Sequence, residues 1–599
     1  MTNVSVVFAF DQDAGGTTNF FTLDDPVQGV LDNTTFTLGG PFSLVDVTQY
    51  VRNVSVSRGR SRVLDRVQAG QASITLDNRA RLFDPTYLPV PITRTNLVTN
   101  PSFETNTNSW ASAQATIARS TTFAYVGAAS LATTMSSTTD NNFAYTTTTT
   151  TATGTHTFSA YFYVPAGSSL AGRMVSLSVE GGTATTTGVS SSSATLVAGS
   201  WVRARLARNV TVAGSMVWVA RISGTLATAV GLLIYTDAAL VETLATFGAY
   251  FDGSVYLGTD DLVSLTWNGT ANASTSTVVT YTPNSYSQYA SSIVPRKNVS
   301  ITLDSEPIFT GLVDDWNIGY ELSGDSTSVA ECVDGFIQLG QVTMGTAVRT
   351  SQASGARVGA VLTEASWPTG KRDIDTGQVT LQADTPAANT NVLDYLQTVT
   401  DTEFGLFFMD RSGNANFADR LANQNFSNPV LLGGTGIPFT AVGLDYGAEQ
   451  LYNEVTLVRQ GGGTAVRTDA TSQTTYGISE LSKTGLLFNT DADNGTLADY
   501  LLARYKDPAL RINEVSIAVD GLTSAQRTTL ARMDLGQPLQ VTFTPKVGAA
   551  ITQYATLDRI SHSVSPASHT MTLTMSRAEA SFILNSSLFG QLNDDQLGF

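Results

Sequence analysis

The strand pattern of this chain stops partway and resumes some two hundred residues later. From Val51 to Pro85 polar and apolar side chains alternate with period two (Val51-Arg-Asn-Val-Ser-Val-Ser-Arg58, then Ala72-Ser-Ile-Thr-Leu-Asp77). That alternation is the signature of half-buried strands, which need partners. Turn signals follow at Asp77-Asn78 and Asp84-Pro85. From about Val294 the same kind of text returns, as Asn298-Val-Ser-Ile-Thr-Leu303 and Ile308-Phe-Thr-Gly-Leu-Val313. The two pieces read as one β-domain, residues 1–95 with 281–345, interrupted by a guest that opens at Asn96-Leu-Val-Thr-Asn-Pro-Ser-Phe-Glu104.

The guest, residues 96–280, is built almost wholly of Thr, Ser, Ala, Gly and Val with scattered aromatics. Its Thr146–Thr151 run sits between Phe143-Ala-Tyr145 and Thr157-Phe-Ser-Ala-Tyr-Phe-Tyr163, which favours a strand or strand-linking loop over disorder. Short strands at close spacing with Gly-rich turns predict a sandwich.

Residues 346–445 read as a small α/β domain. Val392, Leu393, Leu396 and Val399 share one helical face, and a hairpin follows from Phe404 to Asp419 around Arg411-Ser-Gly-Asn414. Residues 446–580 return to strand text, interrupted by one helix around Thr496–Lys506. The ends carry a repeat: Phe21–Asp32 aligns without gaps on Phe582–Asn593, with Phe, Leu, Gly and Leu at the same offsets. Such segments, here residues 581–599 and their N-terminal counterpart, either dock on a neighbour or cap their own domains; both readings stand.

Composition narrows the classes. A formal net charge of −17 argues against nucleic-acid binding, since phosphate contacts need clustered Lys and Arg. The single cysteine, Cys332, leaves no internal disulfide or multi-cysteine metal site and reads as an inert core thiol. The N-terminus lacks a basic region ahead of an apolar run, and no apolar stretch approaches the roughly 20 residues of a bilayer span. The expected product is made in the cytoplasm, without a membrane span.

No catalytic centre assembles from the sequence. The three histidines, His156, His562 and His569, make a hydrolytic triad hard to build; the last two are predicted to face each other on a hairpin surface. Asp491-Ala-Asp-Asn-Gly495 imitates a calcium loop, but Leu501 stands where the bidentate Glu belongs, so Thr490 is read as a helix cap. Gly433-Gly-Thr-Gly436 and Gly461-Gly-Gly463 lack the Lys-Ser/Thr of a phosphate loop. The expectation is a protein that is not an enzyme. The competing class is a hydrolase that degrades cell-wall polysaccharide or peptidoglycan.

Two resemblances add to this. Asn100-Pro-Ser-Phe-Glu104 with Trp110, and Leu233-Ile-Tyr-Thr-Asp237 with Glu242, resemble the first and last strands of jelly-roll carbohydrate-binding modules. The resemblance implies a structural calcium held by Glu104 and Asp237. Stacking on sugar rings needs exposed aromatics, and Trp110, Tyr125 and Tyr145 are taken as candidates among eight available rings. The host text resembles minor tail proteins, specifically tail-tip hubs, of long-tailed phages infecting actinobacteria. The matching stretches are Asn53–Pro85 with Arg58-Gly-Arg-Ser-Arg62, Arg372-Asp-Ile-Asp-Thr-Gly377, Tyr452-Asn-Glu-Val-Thr456, Leu497–Tyr505 and Ile560-Ser-His562. The implied fold is mainly β: two hub-type β-barrels with a small α/β element and an inserted jelly-roll sandwich. The implied assembly is a homotrimer at the virion tail tip, beside the distal tail protein and tape measure protein. It would touch a host cell-envelope glycan through the guest and pass genomic DNA through an acidic lumen without binding it. The arginines of Arg58–Arg62 are expected to form salt bridges within the acidic chain.

Overall fold

The computed structural model describes residues 4–10, 44–113, 115–136, 142–223, 230–422, 426 and 428–578. The chain is mainly β, with 47% in strands and 14% in helices. It divides into two compact units, Met1–Tyr87 with Gln288–Phe599, and Leu88–Ser287. The end segments Phe21–Asp32 and Phe582–Asn593 lie outside the described residues.

The host unit is organised by one 13-stranded sheet. Its path runs Leu44–Asp46, Val4–Ala9, Asn298–Leu303, Glu306–Tyr320, Ser326–Val333, Gln68–Asp77, Val51–Gly59, Ile551–Ser565, Ser568–Arg577, Arg511–Ala518 and Ala441–Asp445. Pro538–Phe543 and Val430–Leu432 branch from the Ile551 strand. Strands on both sides of the interruption therefore interleave: Ala72 stands opposite Cys332, and Val56 opposite both Ala72 and His562. Alternation works as expected, with Val299, Ile301 and Leu303 buried and their neighbours half-exposed. Two separate barrels are not found. The early and late strand blocks merge at the Val51–Ile551 pairing, and no ring of strands closes among the described residues.

Charged groups lock that junction. Arg58 donates to Asp534 at 2.7 Å and Arg60 to Asp558 at 2.8 Å, while Arg62 pairs with Glu449. The Gly59 between them has φ +122°, and a Cβ there would meet the Asp558 carbonyl oxygen at 2.1 Å, so only glycine fits. Cys332 is buried, and burial pushes its thiol far above the ordinary range, which suits an inert core position. His562 and His569 do face each other across the final hairpin, Nδ1 to Nε2 at 3.0 Å. They are buried rather than on its surface, and desolvation depresses both, His569 to about 4. The α/β element follows the sequence reading: Asn391 caps the helix Val392–Glu403, whose Val392, Leu396 and Val399 are buried. Glu403 at its end accepts from Ser354 Oγ and the Gln378 and Val379 amides. Thr490 caps Asp491–Tyr505 through the Asp493 amide. Among the described residues no helix is long and apolar enough to cross a membrane.

The inserted unit is a sandwich. A six-stranded sheet in the order Thr185–Ser192, Trp201–Val212, Gly154–Tyr163, Leu233–Glu242, Ser130–Met135, Ala115–Ser120 faces a five-stranded one. Phe143, Phe158, Phe162, Leu206 and Trp218 fill the space between. The threonine run lies in the strand Asn142–Thr150; Thr146, Thr148 and Thr150 point inward, and Thr148 Oγ1 accepts from Trp218 Nε1 at 2.7 Å. A small third sheet, Ile92–Asn96 with Ser276–Tyr281 and Asp261–Trp267, starts and finishes the unit. Because Ile92–Asn96 pairs with Ser276–Tyr281, the guest extends a few residues beyond 96–280 on each side.

Candidate functional site

The outer face of the six-stranded sheet carries the site. Trp201, Arg203 and Arg205 alternate with the buried Ala204 and Leu206, so all three project outward. Register places Trp201 opposite Tyr163, Arg203 opposite Tyr161 and Arg205 opposite Ser159. On the other flank Tyr235 stands opposite Tyr163 and Asp237 opposite Tyr161. Directly opposed residues share a face and touch.

Tyr125 reaches this face from a turn rather than a strand. Its ring stacks on Tyr161 with centroids 3.8 Å apart and planes 18° apart, and lies 5.8 Å from Trp201. Tyr163 and Phe123 extend the cluster, at 5.3 Å from Trp201 and 4.5 Å from Tyr163 respectively. Tyr125 keeps 38% of its surface exposed, and burial together with Tyr161 pushes its hydroxyl up to about 12. The half-exposed cluster, with Tyr125 and Tyr161 stacked and Trp201 tilted beside them, offers apolar ring faces rimmed by hydroxyls.

Glu104 and Asp237, far apart in sequence, converge on the turn that presents Tyr125. Asp237 Oδ2 accepts from the Tyr125 and Val126 amides at 2.7 and 3.0 Å, and Oδ1 from Ala238 at 2.7 Å. Glu104 takes the Ala128 and Ala129 amides at 3.0 to 3.2 Å. Gly127 lies at φ +66°, where a Cβ would sit 2.2 Å from Glu104 Oε1. The segment holding Glu104 is an irregular bend rather than the opening strand, with Phe103 at φ 59°. Burial pushes the Asp237 carboxyl up to about 7, and the like charge of Glu104 adds to the effect. Two oxygen-donor carboxylates whose charges oppose each other fit a hard cation chemically, since a cation relieves that repulsion. Among the described residues no third His, Cys, Asp or Glu joins them, so main-chain oxygens or water would complete the shell.

Of the three rings taken from the sequence, only Tyr125 stands on the platform. Trp110 is 7% exposed, packs edge-on against Phe103 at 5.1 Å and donates to the Asn100 carbonyl; a core ring of this kind has no free face. Tyr145 belongs to the five-stranded sheet, opposite Val219, and does not meet Tyr125. Tyr161 and Trp201 join Tyr125 from neighbouring strands of the six-stranded sheet. The spacing Trp201-Val-Arg-Ala-Arg205 does place Trp201, Arg203 and Arg205 on one strand face, which is the signal for the arginines.

Arg203 donates to Ser159 Oγ at 2.8 Å and to the Gly248 carbonyl at 2.7 Å, and sits 5.4 Å from the Tyr161 ring centroid. Burial holds its guanidinium below the usual value. Arg205 is exposed, its Cζ 5.7 Å from the Phe247 ring. Beside them Glu242 is gripped by Arg94 through two bonds of 2.8 and 2.9 Å.

No family model matches the chain, and no curated protein matches it. Among solved structures it is similar to the 43 kDa tail protein of prophage MuSo2 from Shewanella oneidensis (16% identity, 48% of this chain and 81% of that one, TM-score 0.35). It is also similar to a tail protein from Neisseria meningitidis MC58 (14% identity, 47% of this chain and 84% of that one, TM-score 0.35). A further likeness is to the CBM22-1 xylan-binding domain of Xyn10C from Paenibacillus barcinonensis (16% identity, 27% of this chain and 99% of that one, TM-score 0.20).

Proposed function

We propose that the chain is a structural phage tail-tip hub protein whose inserted sandwich binds a host cell-surface glycan. The observation that carries this is the Tyr125–Tyr161–Trp201 platform, half-exposed on a sheet face and presented by a turn that two carboxylates hold. Sugar rings present axial C–H groups that pack on aromatic faces while hydroxyls bond to polar neighbours. Arg203, which the buried Ser159 hydroxyl holds in place, and the Tyr125 and Tyr161 hydroxyls are placed to supply those bonds. The host sheet supplies the structural half of the reading, together with the tail-protein resemblance of its sequence. A threefold arrangement at the tail tip, contact with the distal tail and tape measure proteins, and a DNA-tolerant acidic lumen belong to the same proposal.

In that reading Glu104 and Asp237 hold a calcium ion that neutralises their charges and stiffens the Tyr125 turn. Adding calcium is expected to raise the unfolding temperature of the insert by roughly 5 °C, and Asp237→Asn to remove the increment. No calcium effect on the wild-type protein sinks the metal site.

Removing residues 88–287 tests the whole reading. Tail assembly is expected to survive while adsorption to the host falls. Loss of assembly makes the insert structural, and release of sugar fragments from cell walls by the purified protein restores the hydrolase reading.

A further inference from the structure

Arginine in this chain normally meets a carboxylate. Arg52 pairs with Asp325, Arg58 with Asp534, Arg60 with Asp558, Arg94 with Glu242 and Arg527 with Asp304. That is what an excess of acid predicts, with 50 Asp and Glu against 33 Lys and Arg. Others, such as the buried Arg357, bond only to hydroxyls and carbonyls, and the two arginines beside the aromatic platform also stand outside the paired group while lying on an outer sheet face. Arg203 bonds only to a hydroxyl and a carbonyl, leaving Nη1 without a hydrogen bond among the described residues. Arg205 contacts the Phe247 ring, and no carboxylate pairs with it among the described residues. The acids on the same face are already engaged: Asp237 by three amides, Glu242 by Arg94. Two like charges two residues apart on one strand also repel each other, which an anion between them would reverse.

We infer that the platform takes an anionic saccharide, a pyranose carrying a carboxylate or a phosphate, with Arg203 and Arg205 receiving the anion beside the Tyr125, Tyr161 and Trp201 rings. This rests on the glycan-binding reading above. A neutral sugar needs donors and acceptors but no pair of guanidinium groups without a direct carboxylate partner, whereas carboxylate and phosphate match the guanidinium fork. The requirement is sharper here because a chain of net charge −17 repels an anionic polymer as a whole. Local cations at the site are what permit approach.

Three soluble polymers separate the possibilities in affinity electrophoresis or calorimetry of the full chain: neutral xylan, polygalacturonate and phosphomannan. At low salt at least one anionic polymer is expected to bind about tenfold more tightly than xylan, a preference that shrinks in 0.5 M NaCl as charges are screened. Which of the two anionic polymers wins identifies the substituent. Arg205→Gln, an exposed change that leaves folding intact, is expected to cut the preference to roughly threefold or less. Equal binding of neutral and anionic polymers, or a preference that Arg205→Gln does not alter, overturns the anion inference and leaves glycan binding standing. Trp201→Ala should weaken every polymer that binds. Binding of none of the three by the wild-type protein overturns both readings.

Discussion

The two units use the same side-chain types for opposite ends. In the host unit aromatic rings pack inward, as in the stacked Phe336–Phe407 and Phe8–Phe10 pairs, and several arginines tie distant segments together through carboxylates. In the insert a second set of rings lies on an outer sheet face, and two arginines beside it have no acid partner among the described residues. Rings and guanidinium groups packed inside support the fold, whereas the same groups gathered on an outer sheet face leave a surface able to meet a ligand. The contrast is informative because both patterns occur in a single acidic chain with a single supply of arginine.

The largest effect expected to sharpen the comparison is in the host. Asp558→Ala strands a buried guanidinium, and denaturant unfolding should show a loss of about 3 kcal/mol or more. A loss under 1 kcal/mol would mean the junction is held by packing alone. Acid should then separate the units. Asp237 titrates at about 7 in the folded insert against 3.8 unfolded, so the folded state binds the proton first. Its contribution is full below pH 3.8 and is lost as pH rises through 7. His569 runs the other way: held down to about 4 from 6.5, it stabilises the host above pH 6.5 and loses that contribution as pH falls toward 4. Asp334, buried in the host and also raised to about 7, opposes it, so the histidine contribution is read as the difference between wild type and His569→Gln. Calorimetry between pH 4 and 7 in the absence of calcium checks both slopes, and parallel slopes of wild type and Asp237→Asn would remove the carboxylate from the account. Next in size, Tyr125→Ala should weaken glycan binding roughly tenfold with little change in melting, since the ring is half-exposed and caps no core. Smallest of all, Arg205→Gln should shift stability by less than about 0.5 kcal/mol, in contrast to the host arginines.

The periodicity of the host strands, the helix starting at Val392 and the presence of a guest were all legible from local pattern. Which strand pairs with which was not. Val56 meets His562 through a register that no alternation encodes, which is why two barrels were expected where one sheet forms. The guest's edge was read late because Ile92–Asn96 sits among prolines and exposed apolar residues that resemble the host's turns. Within the site, Glu104 and Asp237 came from motif resemblance, and the structure gives both of them the same turn to hold. The rings were harder. Period two separates the faces of a strand without telling which face is covered, so Trp110 looked as available as Trp201. Tyr125 lies on a turn, where alternation is silent.

The strand that begins the insert lies antiparallel to one that ends it, with Asn96 opposite Ser276 and Ile92 opposite Thr280. A folded cassette whose two ends already lie side by side burdens its recipient like a short loop, because chain closure is settled inside the cassette. Such a unit can be exchanged by recombination at its flanks without retuning the sheet that receives it. Replacing the cassette would change what the chain presents while the host sheet stays as it is.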